Sequence, residues 1–221
     1  MARQIYSRGF NYAPSSAPLS IIYEDSELLI IDKPSGLLSV PGKTEPDCLE
    51  ARVKAYCSSA LTVHRLDMAT SGVMVFAKSA NSQRHLGLQF EKRMTRKIYM
   101  ARVWEHVSPQ SGTVNLPLIC DWPNRPLQMV DHERGKEAIT NWDVIKHETN
   151  ATRLMLSPQT GRSHQLRVHC LEMGHPILGD RLYAPDEAYH AAPRLQLHAH
   201  ILSIRHPNGG KWCEFTAKTP F

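Results

Sequence analysis

Long apolar runs are missing from this chain of 221 residues: none is long enough to cross a membrane, and no apolar signal-peptide core opens it. Paired cysteines are missing too. The five present, Cys48, Cys57, Cys120, Cys170 and Cys213, are scattered and form no C-x-x-C pair. That argues against a zinc ribbon or a disulfide framework and for a reducing, cytoplasmic setting. There is no G-x-x-x-x-G-K-[ST] phosphate loop and no G-x-G-x-x-G dinucleotide fingerprint. The G-x-S-x-G elbow of a serine hydrolase is absent as well. Phe76-Ala77-Lys78 and His64-Arg65-Leu66-Asp67 echo kinase elements, but their order is reversed, an extra residue interrupts H-R-D, and D-F-G is lacking. Twelve histidines invite a metal, yet neither His164, His169 and Cys170 nor His198 and His200 have a recognised ligand spacing, so no metal is expected.

The first twenty residues contain no acid, only Arg3 and Arg8, and run into Ala13-Pro14-Ser15-Ser16-Ala17-Pro18. With so little to bury, residues 1–19 are expected to be an arm or peripheral strap ahead of one domain at 20–221. The formal net charge is +5. Much of that excess sits between residues 84 and 102, where Arg84, Lys92, Arg93, Arg96, Lys97 and Arg102 meet a single acid, Glu91. Such a run is either a solvated face or the footprint of a polyanion.

Short runs rich in β-formers dominate the rest. Residues 20–23 and 28–31 flank an acidic turn as a hairpin, and 138–145 with 151–156 repeat the pattern around His147-Glu148-Thr149-Asn150. A last hairpin spans 195–217 across His206-Pro207-Asn208-Gly209-Gly210. A short helix is expected over 47–58. Ser79 can cap another over 80–94, with Leu86, Phe90 and Met94 on its buried stripe. Ser163 can cap a third, carrying Leu166, Cys170 and Met173 and closed by Gly174. Residues 105–137, broken by Pro109, Pro117, Pro123 and Pro126, read as one long irregular loop that either packs on itself or touches substrate. The expected fold class is α+β, with a mixed, mainly antiparallel sheet core and flanking helices.

The most informative stretch is His64-Arg65-Leu66-Asp67-Met68-Ala69-Thr70-Ser71-Gly72. It lies between two runs of strand character, so it should be a loop held on a sheet, a rigid way to present a side chain. Asp67 is a carboxylate one residue removed from Arg65. An Asp in such a loop either caps the turn or does chemistry, and the residues alone leave both open.

Three ordered elements resemble the RluA family of pseudouridine synthases. They are Asp32-Lys33-Pro34-Ser35-Gly36-Leu37-Leu38, then His64-Arg65-Leu66-Asp67 with Thr70-Ser71-Gly72, then Gly161-Arg162-Ser163-His164-Gln165-Leu166-Arg167 with Gly174-His175-Pro176-Ile177-Leu178-Gly179-Asp180. Lys97-x-Tyr99 matches between them, and the likeness runs from about residue 20 to the C-terminus. The 116–126 run and the lack of an S4 domain ahead of residue 20 are similar to the branch acting on both 23S rRNA and tRNA.

The resemblance implies the pseudouridine synthase catalytic fold, a cytoplasmic and monomeric protein, no cofactor, no membrane, and structured RNA (23S rRNA and tRNA) as partner. It implies that Asp67 is the nucleophile, that Tyr99 stacks on the uracil, that Arg167 pairs with Asp67, and that Arg65 fills the gap left by the extruded base. Arg84, Arg93, Arg96, Lys97, Arg162, His164 and Gln165 would contact the RNA. The competing reading is a catalytically silent protein that binds structured RNA or the ribosome.

Overall fold

The computed structural model describes residues 8, 9 and 11–221. Arg3, part of the acid-free opening, lies outside them. The chain forms two compact units. One comprises residues 11–98 and His198–Phe221; the other comprises Tyr99–Leu197 with Arg8 and Gly9.

The first unit opens with β1 (Ser20–Glu24) and β2 (Leu28–Lys33), the antiparallel hairpin expected from the sequence. Helix α1 (Leu49–Tyr56) follows, its first turn capped by the Cys48 sulfur, which accepts from the Ala51 N–H. Then come β3 (Leu61–Thr62), β4 (Ser71–Ala77), α2 (Ala80–Glu91) and the start of β5 (Arg96–Trp104). Every residue of β4 is buried, the mark of a strand covered on both faces.

As expected, α2 starts at Ser79, whose Oγ accepts from the Ser82 N–H, and it lays Leu86 and Phe90 on the sheet. It ends sooner than its periodicity predicts. Arg93 turns to φ 57°, and Met94 is left exposed beyond the last turn. The core joins Leu86 to Leu28, Ile30, Val73 and Val75, and to Leu202, Ile204 and Phe215 from the last two strands.

The second unit continues β5 and adds β6 (Ser111–Asn115), β7 (Leu118–Cys120), β8 (Gln128–Val130), β9 (Ile139–Glu148) and β10 (Ala151–Pro158). Helices α3 (Gln165–Glu172) and α4 (Asp186–His190) close it. Strands β5, β10, β9 and β6 pair antiparallel in that order, and β7 with β8 forms a separate hairpin.

Two expectations fail here. The 105–137 stretch is not one irregular loop: it holds β6, β7 and β8, each kept short by the prolines between them. Ser163 does not cap α3; the cap position is His164, in the left-handed region at φ 53° and with no side-chain cap bond. Gly174, at φ 84°, does end the last turn. Helix α4 was not foreseen.

The chain then returns to the first unit through β11 (Leu197–Arg205) and β12 (Trp212–Thr216). There β11 runs parallel to β4, with His198 opposite Ser71 and Ala199 opposite Gly72, and antiparallel to β12. Gly72 sits at φ 115°, and a Cβ there would stand 2.2 Å from the Ala199 carbonyl oxygen. Only glycine permits that approach. Arg8 donates to the Arg181 and Ala184 carbonyls, and the Tyr12 hydroxyl donates to the Asp47 carbonyl.

Candidate active site

Asp67 lies in the first unit, half-buried, on the loop between β3 and β4. The backbone on both sides of it is braced by the segment that follows β2. The Ser39 hydroxyl donates to the Leu66 carbonyl (2.6 Å) and accepts from the Leu66 N–H (3.1 Å). The Met68 carbonyl accepts from the Lys33 ammonium (2.9 Å) and from the Gly36 N–H (2.9 Å). The Ser35 hydroxyl donates to the Ala69 carbonyl (2.6 Å). Thr70 N–H closes the turn onto the Asp67 carbonyl at 3.0 Å. The Asp32-Lys33-Pro34-Ser35-Gly36 turn and the aspartate loop are therefore one construction.

Lys33 itself is fully buried, its ammonium also donating to the carbonyls of Pro34 (2.9 Å) and Leu37 (2.7 Å). An ammonium so placed needs such a set of acceptors to offset its lost hydration. Sequence reasoning placed Lys33 in the first motif but gave it no task.

His64 opens the loop. Its ring stacks on Phe90 with centroids 4.5 Å apart, and its Nε2 accepts from the Val75 N–H at 3.1 Å. That bond requires an unprotonated Nε2. Burial, and secondarily the Lys97 ammonium, push the His64 pKa down to about 3, so the ring is neutral at physiological pH. Arg65 points into solvent. Arg84, on α2, and Arg93 and Arg96, just beyond it, are exposed, whereas burial, and then Arg93, lower the pKa of the half-buried Lys97.

The second unit carries Tyr99, Arg162, His164, Gln165 and Arg167. Arg167 is buried on α3, and Asp180 grips it with two parallel bonds, Nε to Oδ2 at 2.7 Å and Nη2 to Oδ1 at 2.6 Å. Asp180 is fully buried as well and also accepts from the Leu182 N–H at 2.9 Å. Burial alone would raise its pKa; the guanidinium and these donors overcome that and hold it below the usual carboxylate range. The sequence placed Asp180 at the close of the third motif but gave it no task.

The Tyr183 ring lies 4.9 Å from the Arg167 guanidinium, and its hydroxyl bonds the His164 Nδ1 at 2.6 Å. Gln165 is buried. Its amide donates to the Ile139 carbonyl and the Thr140 hydroxyl, while its carbonyl accepts from the Thr160 hydroxyl and the Arg162 N–H. It locks the turn before α3 onto β9, and its carboxamide is thereby committed to the protein. Arg162 donates to the Glu137 carbonyl, and Tyr99 is half-buried on β5 opposite Leu156. Among the described residues no group of three or more His, Cys, Asp or Glu is placed to hold a metal ion.

The mixed, mainly antiparallel sheet with few helices is the fold of the RNA-modifying isomerases that rearrange uridine. The chain belongs to the RNA pseudouridylate synthase family, whose model matches residues 27–172. It is 52% identical over 215 residues to the dual-specificity RNA pseudouridine synthase RluA of Salmonella typhimurium and to that of Escherichia coli, spanning 96% of this chain and 98% of each relative. The Vibrio cholerae protein of the same name is 51% identical over 199 residues, 89% of this chain and 81% of that one.

Among solved structures, human RNA pseudouridylate synthase domain containing 1 superposes with a TM-score of 0.80 at 25% identity, covering 95% of this chain and 86% of that one. Human RNA pseudouridylate synthase domain containing 4 gives 0.75 at 24% identity, covering 91% and 88%, and shares the fold. The protein is an isomerase acting on RNA.

Proposed function

We propose that this enzyme converts uridine to pseudouridine in structured stem-loops of 23S rRNA and tRNA, the latter at the anticodon stem-loop, with Asp67 as the nucleophile. The observation that carries the assignment is the bracing of Asp67: both neighbouring carbonyls are held by the 33–39 segment, which gives a half-buried carboxylate a fixed position. The dual-specificity relatives share about half of its residues along nearly the whole chain.

The reaction balances with no outside reagent. The bond from N1 of uracil to C1′ breaks, the base turns, and a bond from C5 to C1′ forms. The proton on C5 leaves, and one arrives at N1. A carboxylate that holds a fragment covalently, at C1′ of the ribose or C6 of the base, splits this into two easier steps. Tyr99 stacks on the uracil, Arg167 is a further catalytic residue, and Arg65 occupies the space the extruded base leaves. Extrusion costs a few kcal/mol, offset by stacking and by the inserted side chain. The exposed Arg84, Arg93 and Arg96 hold phosphates. The enzyme works as a monomer in the cytoplasm.

The test is to incubate wild type and Asp67→Asn with transcripts of 23S rRNA domains and tRNA and to map pseudouridine. Wild type forms it and Asp67→Asn does not. Tight RNA binding by wild type without any product would establish the silent binding protein instead, and full activity in Asp67→Asn would remove the nucleophile assignment.

A further inference from the structure

The hairpin β7–β8 carries a feature the catalytic motifs do not use. Its tip holds one turn of 3-10 helix, Trp122–Asn124, and there Trp122 is 67% exposed, more than any other large hydrophobic side chain among the described residues. The Arg125 guanidinium lies over this indole, 4.0 Å from the ring centre.

The exposure does not come from a loose loop. The Asn124 amide donates to both carboxylate oxygens of Asp121 at 3.0 Å, and Asn124 N–H reaches the Asp121 carbonyl at 2.9 Å. Asp121 N–H donates to the Leu127 carbonyl, and Leu127 N–H to that of Asn124. Leu118 and Leu127 anchor the base of the hairpin in a buried cluster with Ala138, Val168 and Tyr183. A tip this well satisfied could have turned an apolar indole inward; it presents it outward.

The hairpin is also joined to the arginine of α3. Gln128 N–H donates to the Tyr183 hydroxyl at 3.0 Å, the same hydroxyl that bonds His164, and the Tyr183 ring lies beside Arg167. All these residues belong to one unit, so the indole keeps a fixed position relative to Arg167.

We infer that Trp122 with Arg125 is a stacking platform for an unpaired nucleobase of the substrate RNA, a nucleotide other than the uridine being isomerised. The inference rests on the reading that the substrate is structured RNA. Every nucleobase offers a face to an indole, and base stacking on aromatic side chains is a principal way in which proteins grip unpaired nucleotides. The Arg125 charge suits the phosphates on either side of such a base, and the chain's net charge of +5 suits the same partner.

The experiment titrates wild type, Trp122→Ala and Trp122→Phe with bulk tRNA, following tryptophan emission and filter-binding affinity. Pseudouridine formation on the same RNA is measured in parallel. Because Trp122 is exposed, all three proteins should unfold at the same temperature. Trp122→Ala is expected to weaken RNA binding about tenfold to a hundredfold, with the loss falling on KM more than on kcat, and Trp122→Phe to recover most of it. Emission quenched by RNA in wild type is expected to be much reduced in Trp122→Phe. Unchanged affinity in Trp122→Ala, or undiminished quenching in Trp122→Phe, overturns the platform. A wild type that binds tRNA but forms no pseudouridine tells against the catalytic reading while leaving the platform to be judged on binding alone.

Discussion

The Lys33 ammonium nitrogen lies 2.9 Å from the Met68 carbonyl oxygen, the carbonyl directly after Asp67. A residue of the first motif thus sets the backbone of the second, across 35 positions of sequence.

Replacing Lys33 by Met removes the donor to three carbonyls while filling most of the same space. Two effects oppose. Burying an ammonium is costly, so its removal helps; leaving buried carbonyls without a donor costs about 1–3 kcal/mol each. Met68 keeps the Gly36 N–H, so the damage falls on the Leu37 and Pro34 carbonyls. The net expectation is a loss of roughly 2–4 kcal/mol in urea denaturation with unchanged m-value, and a fall in kcat that exceeds the change in RNA affinity. Equal stability of wild type and Lys33→Met would show that the clamp does not stabilise the loop.

Asp180→Asn should be worse for the second unit than its conservative shape suggests. It breaks the buried Arg167–Asp180 ion pair, and removing one partner of such a pair costs about 3–5 kcal/mol. Adding Arg167→Met removes the buried cation as well, so the double variant should recover part of the stability while remaining inactive. Additive losses in the double-mutant cycle would contradict a coupled pair.

Acid should destabilise the fold through His64. Its pKa falls from the usual 6.5 to about 3 on folding, so the unfolded chain takes up a proton between those limits and the folded chain does not. The stability this group confers is complete above about pH 6.5 and declines as pH drops toward 3. Asn or Gln at position 64 keeps an acceptor for the Val75 N–H but does not titrate. In His64→Gln the slope of unfolding free energy against pH in that window should be shallower than in wild type. Identical slopes would place the acid sensitivity elsewhere.

The exposed Arg84, Arg93 and Arg96 should act on phosphates rather than as readers of sequence. Changing all three to Gln is expected to weaken binding of every RNA tested. It should also reduce the slope of log affinity against log salt by about 0.7–0.9 for each phosphate that is no longer neutralised. Weaker binding with an unchanged salt slope would exclude a phosphate role.

Much of the framework is legible in the sequence. Hairpins β1–β2, β9–β10 and β11–β12 announced themselves because alternating β-formers flank polar turns, a signal that is local by nature. Helix α2 was visible through Ser79 and the Leu86–Phe90 spacing. Its end is hidden because the 3.6-residue period continues to Met94 although the chain has already turned at Arg93. The proline-rich 105–137 stretch hid three strands, since strands of three to five residues show too little alternation to read.

What the sequence alone determined is the α+β character, the family, and the residues of each motif, because propensity, turn chemistry and motif spacing are written along the chain. Only the tertiary structure decided that Lys33 clamps the loop of Asp67, that Asp180 holds Arg167, and that His64, bonded to the Val75 N–H, is kept neutral by burial and by Lys97. Each of those depends on burial and on a partner brought from another element, and desolvation of a charge has no signature in sequence until the fold supplies what surrounds it.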